Sequence, residues 1–252
     1  MHGVYLSDGT RLVLRRYAWP SYLESEPLAP RREVDALQFG RLHGLAIPEL
    51  IAADLGTADV GDGIPAVLMS FLPGRAVGVP DLHRLAEAAA TVHAVDASTF
   101  PHEYFSWYSD VMRDTPANAT RPELWLAAID PWRTRMPTFE PRLIHRDFHP
   151  GNLLWNRGRL SGVVDWPNAC RGPWGCDLAH CRWNLMQLAD LETADAFTSA
   201  YEAVTGRTYD PFWEIAQEME QEPGPRKVAS IRRSEARLAR ALTDLGISLL
   251  RK

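Results

Sequence analysis

The 252-residue chain carries His145-Arg146-Asp147-Phe148-His149-Pro150-Gly151-Asn152, followed shortly by Gly162-Val163-Val164-Asp165-Trp166. A carboxylate, an amide five positions on and a second carboxylate closing an apolar run are the groups that phosphoryl transfer asks of a protein. That reaction needs little covalent chemistry from its catalyst, so what counts is positioning and the neutralisation of charge around one phosphate. Asp147 would accept the proton of an attacking hydroxyl. Asn152 and Asp165 would hold magnesium, which takes oxygen ligands and keeps several waters. Pro150 and Gly151 suit the tight turn between base and amide.

These groups lie on separate segments, so local elements must bring them together. Leu153-Leu154-Trp155 and Leu160 to Val164 read as two short strands around the polar turn Asn156-Arg157-Gly158, a hairpin that returns Asp165 to the side of Asn152. Two other readings use the same residues. His145, Asp147 and His149 could bind zinc, because alternate residues of an extended chain share a face, although Asn152 and Asp165 are then unexplained. The triplet His-Arg-Asp could also be a solvated loop, against which the flanking apolar strands argue.

The stretch Leu143 to Trp155 resembles the catalytic loop of the aminoglycoside phosphotransferase and choline kinase family, with its His-x-Asp-x-His-Pro-x-Asn pattern. Asp165 falls where that family's metal-binding Asp ends a strand. Pro173 to Ala179 is similar to the downstream segment whose Asp, here Asp177, steadies the loop together with His145. Upstream, Ala66 to Gly74 resembles the strand and hinge that hold adenine through backbone groups, here Ser70, Phe71 and Leu72. The likeness runs from about Val4 to Ala189 and fades beyond Leu191. It implies an α+β, protein-kinase-like two-lobe fold: a small antiparallel-sheet nucleotide lobe over residues 1–77 and a mainly helical lobe over 78–252. It further implies ATP and Mg2+ as cofactors and a small-molecule hydroxyl as substrate, with Asp147 and His149 at the catalytic centre. Protein kinases share His-Arg-Asp and the spacing to Asn, but His149 stands where they carry Lys and Asp165 is followed by Trp-Pro. A small-molecule kinase is the better match.

Two features depart from the family. Its phosphate-binding Lys corresponds to Arg15, with Glu33 as partner, and the chain holds no lysine before Lys227. Arg keeps the charge with a different geometry, and an Arg-Glu pair can also be a plain surface contact. Only Met1-His2-Gly3 precede the first hairpin, so the resemblance implies a truncated nucleotide lobe without its first strand and phosphate-covering loop. These departures keep a second function open, a nucleotide-binding regulator that has lost catalysis.

Composition agrees with a globular protein. With 46% hydrophobic residues the chain can bury a sizeable core. A net charge of −5 without a basic run speaks against nucleic acid. Cys170, Cys176 and Cys181 form no Cys-x-x-Cys pair, so buried free thiols are expected. No apolar stretch approaches membrane-spanning length, and a cytoplasmic protein without membrane partners is expected. Oligomeric state is not readable from these residues.

The remaining elements follow from periodicity. Val4 to Leu6 and Arg11 to Tyr17 read as a hairpin around Ser7-Asp8-Gly9. Pro20, Pro27 and Pro30 mark a loop, a helix begins at Arg31, and a strand covers Ala66 to Phe71. Asp81 caps a helix carrying His93, which is expected as an inter-helix contact. Thr120 to Glu123 reads as a capping box. Further helices are expected over Cys176 to Leu188, over Ala194 to Val204 with Gly206 as its stop, and over Val228 to Leu250. Trp107, Trp125, Trp132, Trp183 and Trp213 are expected in the core or along a cleft wall. Asp190, Glu192, Glu218 and Glu220 are either substrate contacts or a solvated face.

Overall fold

The computed structural model describes residues 1–56, 62–106, 115–221 and 227–247. The apolar run Leu12-Val13-Leu14 forms the middle of β2 (Arg11–Arg16), which pairs antiparallel with β1 (His2–Tyr5) on one side and β4 (Ala66–Ser70) on the other. A further strand, β3 (Leu50–Asp54), closes a four-stranded sheet of order β1-β2-β4-β3. Its middle residues Ile51, Ala52 and Ala53 are exposed, which is why no period-two apolar signal betrays it. Helix α2 (Ala29–Leu42) packs on β3 and β4 and buries Glu33, Val34, Ala36 and Leu37.

The proline-rich segment before α2 is not the expected loop throughout. Pro20 starts a short helix, α1 (Pro20–Ser25), and Pro30 sits in the first turn of α2. Both positions tolerate proline because the first turn's N–H groups have no partner within the helix.

The second lobe is helical around two short sheets. Helix α3 (Leu82–His93) starts at Asp81, whose carboxylate accepts the Arg84 N–H at 3.0 Å, as the sequence predicts. The capping box before α4 (Pro122–Thr134) is not formed. Arg121 is its N-cap, and the Thr120 hydroxyl and N–H both turn to Glu235. Strand β5 (Arg142–Ile144) pairs with β8 (Cys170–Gly172), and β6 (Leu153–Asn156) with β7 (Arg159–Val163). Between β6 and β7, Arg157 and Gly158 both have positive φ, the backbone that a two-residue hairpin turn demands. Helices α5 (Trp174–Leu188), α6 (Leu191–Thr205), α7 (Phe212–Met219) and α8 (Val228–Asp244) complete the chain, with Gly206 ending α6 at φ 69°. The eight-residue α7 is a helix the periodicity left out. The expected helix to Leu250 ends at Asp244, and residues 248–252 lie outside the described residues, as does Trp107.

Two apolar clusters hold these parts. The larger runs from Leu37 and Val67 through Leu85 and Val92 to Phe148, Trp166, Leu178 and Phe197, so it passes directly beneath the hairpin and the loop before it. Fully burying a side chain of this size is worth roughly 1.5–3 kcal/mol, and Phe148 and Trp166 spend that binding on anchoring Asp147 and Asp165 next to them. The second cluster joins α4, α7 and α8 through Trp125, Trp132, Trp213 and Leu238. Beside it Glu214 lies between Arg182 and Arg237, and Arg237 also meets Glu218 at 3.0 Å. Burial opposes the charge of Glu214, yet the two guanidinium groups outweigh it and hold the carboxyl down at about 2. Glu218 is therefore buried and paired rather than part of a solvated face, whereas Asp190 caps α6 and Glu192 is exposed.

Candidate active site

The loop from Ile144 to Leu153 must turn sharply and still present three polar groups. Arg146 adopts φ 64°, a left-handed conformation that costs a bulky residue roughly 1–2 kcal/mol and persists only where surrounding bonds enforce it. The enforcing group is Asp177 on α5. Its Oδ2 accepts the His145 N–H at 2.7 Å and its Oδ1 the Arg146 N–H at 2.6 Å, while His93 Nε2–H donates to Oδ2 at 3.1 Å. Burial alone would raise the Asp177 pKa, but the His93 bond, neighbouring positive charge and the backbone donors outweigh it and hold it below the usual carboxylate range. His93 is thus the inter-helix contact its sequence position suggests; its other nitrogen meets the Tyr201 hydroxyl at 3.0 Å. Replacing Asp177 by Ala strands two buried N–H groups and His93. The expected cost is about 3–5 kcal/mol, read as a lower denaturant midpoint, whereas Asp130→Ala on the outer part of α4 should leave the midpoint within about 0.5 kcal/mol.

Asp147 follows the strained residue and is one-third exposed. Its Oδ2 accepts from Asn152 Nδ2 at 2.9 Å, and the same Nδ2 donates to the Asp147 carbonyl at 2.9 Å. Both protons of the Asn152 amide are spent on Asp147, so its carbonyl oxygen faces the other way as the only atom left for a cation. The amide thus ties the backbone and the carboxylate of Asp147 to one side chain.

His145 is fully buried. Its Nδ1 accepts the Asp147 N–H at 3.2 Å, which puts its proton on Nε2 for the Val164 carbonyl at 2.9 Å. With both nitrogens committed, it ties the two motif segments together and is not a zinc ligand. Val164 N–H in turn reaches the Asn152 backbone carbonyl at 2.9 Å, so the hairpin returns beside Asn152 as its length predicts. His149 caps the 3-10 turn Pro150–Asn152 by accepting the Gly151 N–H at 3.1 Å on Nδ1. Its Nε2 then carries the proton and stands 3.6 Å from Asp147 Oδ1. Burial lowers the His149 pKa against the pull of Asp147.

One neighbour escapes any motif. His180, three residues beyond Asp177 on α5, places Nε2 2.9 Å from Asp147 Oδ1. Burial again opposes charge on Asp147, but His180, His145 and His149 together bring its pKa down to about 2. The ligand atoms of Asp147, His149 and His180 lie within 4.8 Å of one another, a spacing a metal ion could use. A carboxylate only accepts, however, so His180 Nε2 is a donor, and His149 Nε2 carries a proton because its Nδ1 accepts the Gly151 N–H; both hold protons where a metal would need lone pairs. The arrangement is a carboxylate held by N–H groups.

Asp165 ends the second segment at φ 73°, a left-handed position Asp tolerates better than most residues. Arg15 Nη1 reaches its Oδ1 at 2.7 Å, and Arg15 Nε lies 3.5 Å from Glu33. Glu33 is no surface residue: it is 1% exposed, accepts the Tyr17 hydroxyl at 2.6 Å and also meets the Trp166 backbone. Burial raises its pKa despite Arg15. The two lobes therefore meet through Arg15 and Glu33 at the carboxylate read as a metal ligand.

The hinge differs from the simple expectation. The Ser70 N–H already donates to the Glu49 carbonyl at 2.8 Å and the Phe71 N–H to the Arg11 carbonyl at 3.3 Å. These two amide protons serve the sheet, so adenine recognition by backbone donors would have to begin at Leu72. Beyond it Gly74, at φ 118°, lets the chain pass so close to Trp155 that a Cβ would lie 2.7 Å from its carbonyl. Gly162 lets β7 approach the nucleotide lobe in the same way, since a Cβ there would lie 2.6 Å from the Ala46 carbonyl and 2.6 Å from the Leu72 side chain.

A small antiparallel sheet over a helical lobe, with Asp147, Asn152 and Asp165 gathered where they meet, defines a protein-kinase-like fold of the small-molecule kinase type. The model of the phosphotransferase enzyme family matches residues 3–212, and the chain belongs to that family. It is 26% identical over 171 residues to homoserine kinase of Neisseria meningitidis serogroup B, covering 64% of this chain and 56% of that protein. The chain spans about half the length of the curated relatives it matches. Among solved structures it is similar to the macrolide 2'-phosphotransferase MphH of Brachybacterium faecium, with TM-score 0.59, 19% identity and coverage of 97% of this chain and 82% of that one. It also resembles a thermostable mutant of aminoglycoside phosphotransferase APH(4)-Ia in complex with AMP-PNP and hygromycin B, with TM-score 0.65, 16% identity and coverage of 98% and 90%. At these identities the structural likeness speaks for the fold. Among the described residues no helix is long and apolar enough to cross a membrane, and the three cysteines are free.

Proposed function

We propose that this chain is an ATP-dependent phosphotransferase that moves the γ-phosphate to a hydroxyl of a small molecule. The observation that carries this reading is the Asn152 side chain, whose two N–H bonds to Asp147 leave its oxygen for a cation beside the base. Asn152 and Asp165 would hold Mg2+, which when bound neutralises charge on the nucleotide phosphates. Asp147 receives the acceptor's hydroxyl as a hydrogen bond and orients its oxygen for in-line attack. As that oxygen bonds to phosphorus and the bond to the leaving ADP breaks, the proton passes to Asp147. Arg15 supplies positive charge toward the phosphates from β2, and Leu72 offers backbone groups to adenine.

A regulatory, non-catalytic reading is favoured by one observation, the Arg15–Asp165 ion pair at 2.7 Å, which a metal ion must compete with. Incubating the protein with ATP and Mg2+ and, in turn, L-homoserine, choline, an aminoglycoside and a macrolide, with phosphorylated product followed by mass spectrometry, separates the two. Transfer to at least one acceptor class is expected. ATP binding without transfer to any of them would favour the regulator.

A further inference from the structure

Asp147 is held from two sides of different character. On Oδ2 the partner is Asn152, which also has to serve the metal, so that hold varies with what the site binds. On Oδ1 the partner is His180 at 2.9 Å, a side chain with no second duty in the reaction. Its far nitrogen, Nδ1, faces Gln217 Nε2 of α7 at 3.3 Å; an amide N–H donating there leaves Nδ1 unprotonated and fixes the proton on Nε2, aimed at Asp147. The ring itself rides on a rigid support, because Leu178, Cys181 and Leu185 of α5 are buried in the larger core. Asp177 is three residues earlier on the same helix face. One helix thus sets both the strained backbone before Asp147, through Asp177, and the carboxylate of Asp147, through His180.

We propose that His180 is a positioning residue for phosphoryl transfer, its Nε2–H locking the Asp147 carboxylate so that a remaining lone pair faces the acceptor hydroxyl throughout the cycle. This role rests on the phosphotransferase reading and adds to it a residue that neither the loop motif nor the metal pair contains. Each carboxylate oxygen has two acceptor sites. With one on Oδ1 taken by His180 and one on Oδ2 by Asn152, rotation of the carboxylate is blocked and its free sites point at fixed directions. Without His180 the carboxylate turns about the Asn152 contact alone.

The test compares His180→Phe, which keeps a ring and removes the donor, with His180→Gln, whose Nε2 can take the place of the imidazole Nε2–H. Kinetics use the acceptor that gives the fastest wild-type transfer. Loss of orientation without loss of binding predicts that kcat of His180→Phe falls about tenfold to a hundredfold, with KM for ATP within about twofold, and that His180→Gln recovers a large part of it. A structural role alone would lower stability in both variants without this rescue. Wild-type kcat in His180→Phe, or equal damage in both variants, overturns the role. A wild-type protein that transfers to no acceptor removes the phosphotransferase reading and this role with it. In that event 15N spectra of the histidine rings still report whether the His180 proton sits on Nε2, which tells a failed function apart from a misread contact.

Discussion

Asp147→Ala should lower phosphoryl transfer about 10²–10⁴-fold, the usual range for removing a general base. ATP affinity should stay within a few-fold, since the role proposed for Asp147 is to receive the hydroxyl proton and not to hold adenine or the metal. The carboxylate is one-third exposed, and its donors His180 and Asn152 keep their other hydrogen bonds, to Gln217 and to the Asp147 backbone carbonyl, so the thermal midpoint should move by no more than a few degrees. Single-turnover measurements under saturating ATP isolate the step. Asp147→Asn is the sharper variant, because it keeps shape and a hydrogen-bond acceptor but has no charge to receive the proton. Transfer at the wild-type rate in Asp147→Asn would sink the assignment of the base. The low pKa of Asp147, about 2, adds a sign: the group is ionised through the whole range from pH 4 upward, so an acid limb of activity in that range has to come from another group.

The second large effect is expected at Asp165. Asp165→Asn removes the carboxylate that would neutralise and hold a divalent cation, at a cost of several kcal/mol in the transition state and so roughly 10³-fold or more in kcat/KM. Binding of Mn2+ in the presence of ATP, followed by electron paramagnetic resonance, should weaken in parallel. In Asp165→Asn the backbone is undisturbed, because Asn also accepts a positive φ. Asp165→Ala should be less stable by roughly a further 1–2 kcal/mol, the cost of a left-handed residue with an ordinary side chain. Arg15 gives the prediction a second side. Its guanidinium occupies Asp165 Oδ1 at 2.7 Å, and freeing it in Asp165→Asn raises the positive charge open to phosphates. ATP affinity without metal should therefore hold or rise while turnover is lost. Full activity with unchanged Mn2+ binding would remove Asp165 from the metal site.

Much of the catalytic loop could be read from the chain because its contacts are local. Asn152 reaches Asp147 across five residues, the 3-10 turn is set by Pro150 and Gly151, and the β6-β7 hairpin returns Val164 to Asn152 across a two-residue turn. Short loops of this sort leave the backbone few ways to close. The helices with broad apolar faces, α3, α5 and α6, were legible for the same reason. Strand β3 was not, because its centre is exposed, and α1 was not, because proline reads as a loop unless it falls in a first turn. The capping box at Thr120 failed through competition: Glu235, 115 residues away, offers its hydroxyl and N–H a partly buried carboxylate.

The sequence by itself determined the inventory of chemistry, namely two carboxylates and an amide at spacings that close locally, and with it the family. Only the tertiary structure decided how that inventory is held. Arg15 meets Asp165 across 150 positions, and His180 comes to Asp147 from the same helix whose Asp177 the resemblance already placed at the loop. Such contacts depend on how β2, α2 and α5 pack against one core, and that packing is set by the whole set of buried side chains rather than by any spacing within a motif.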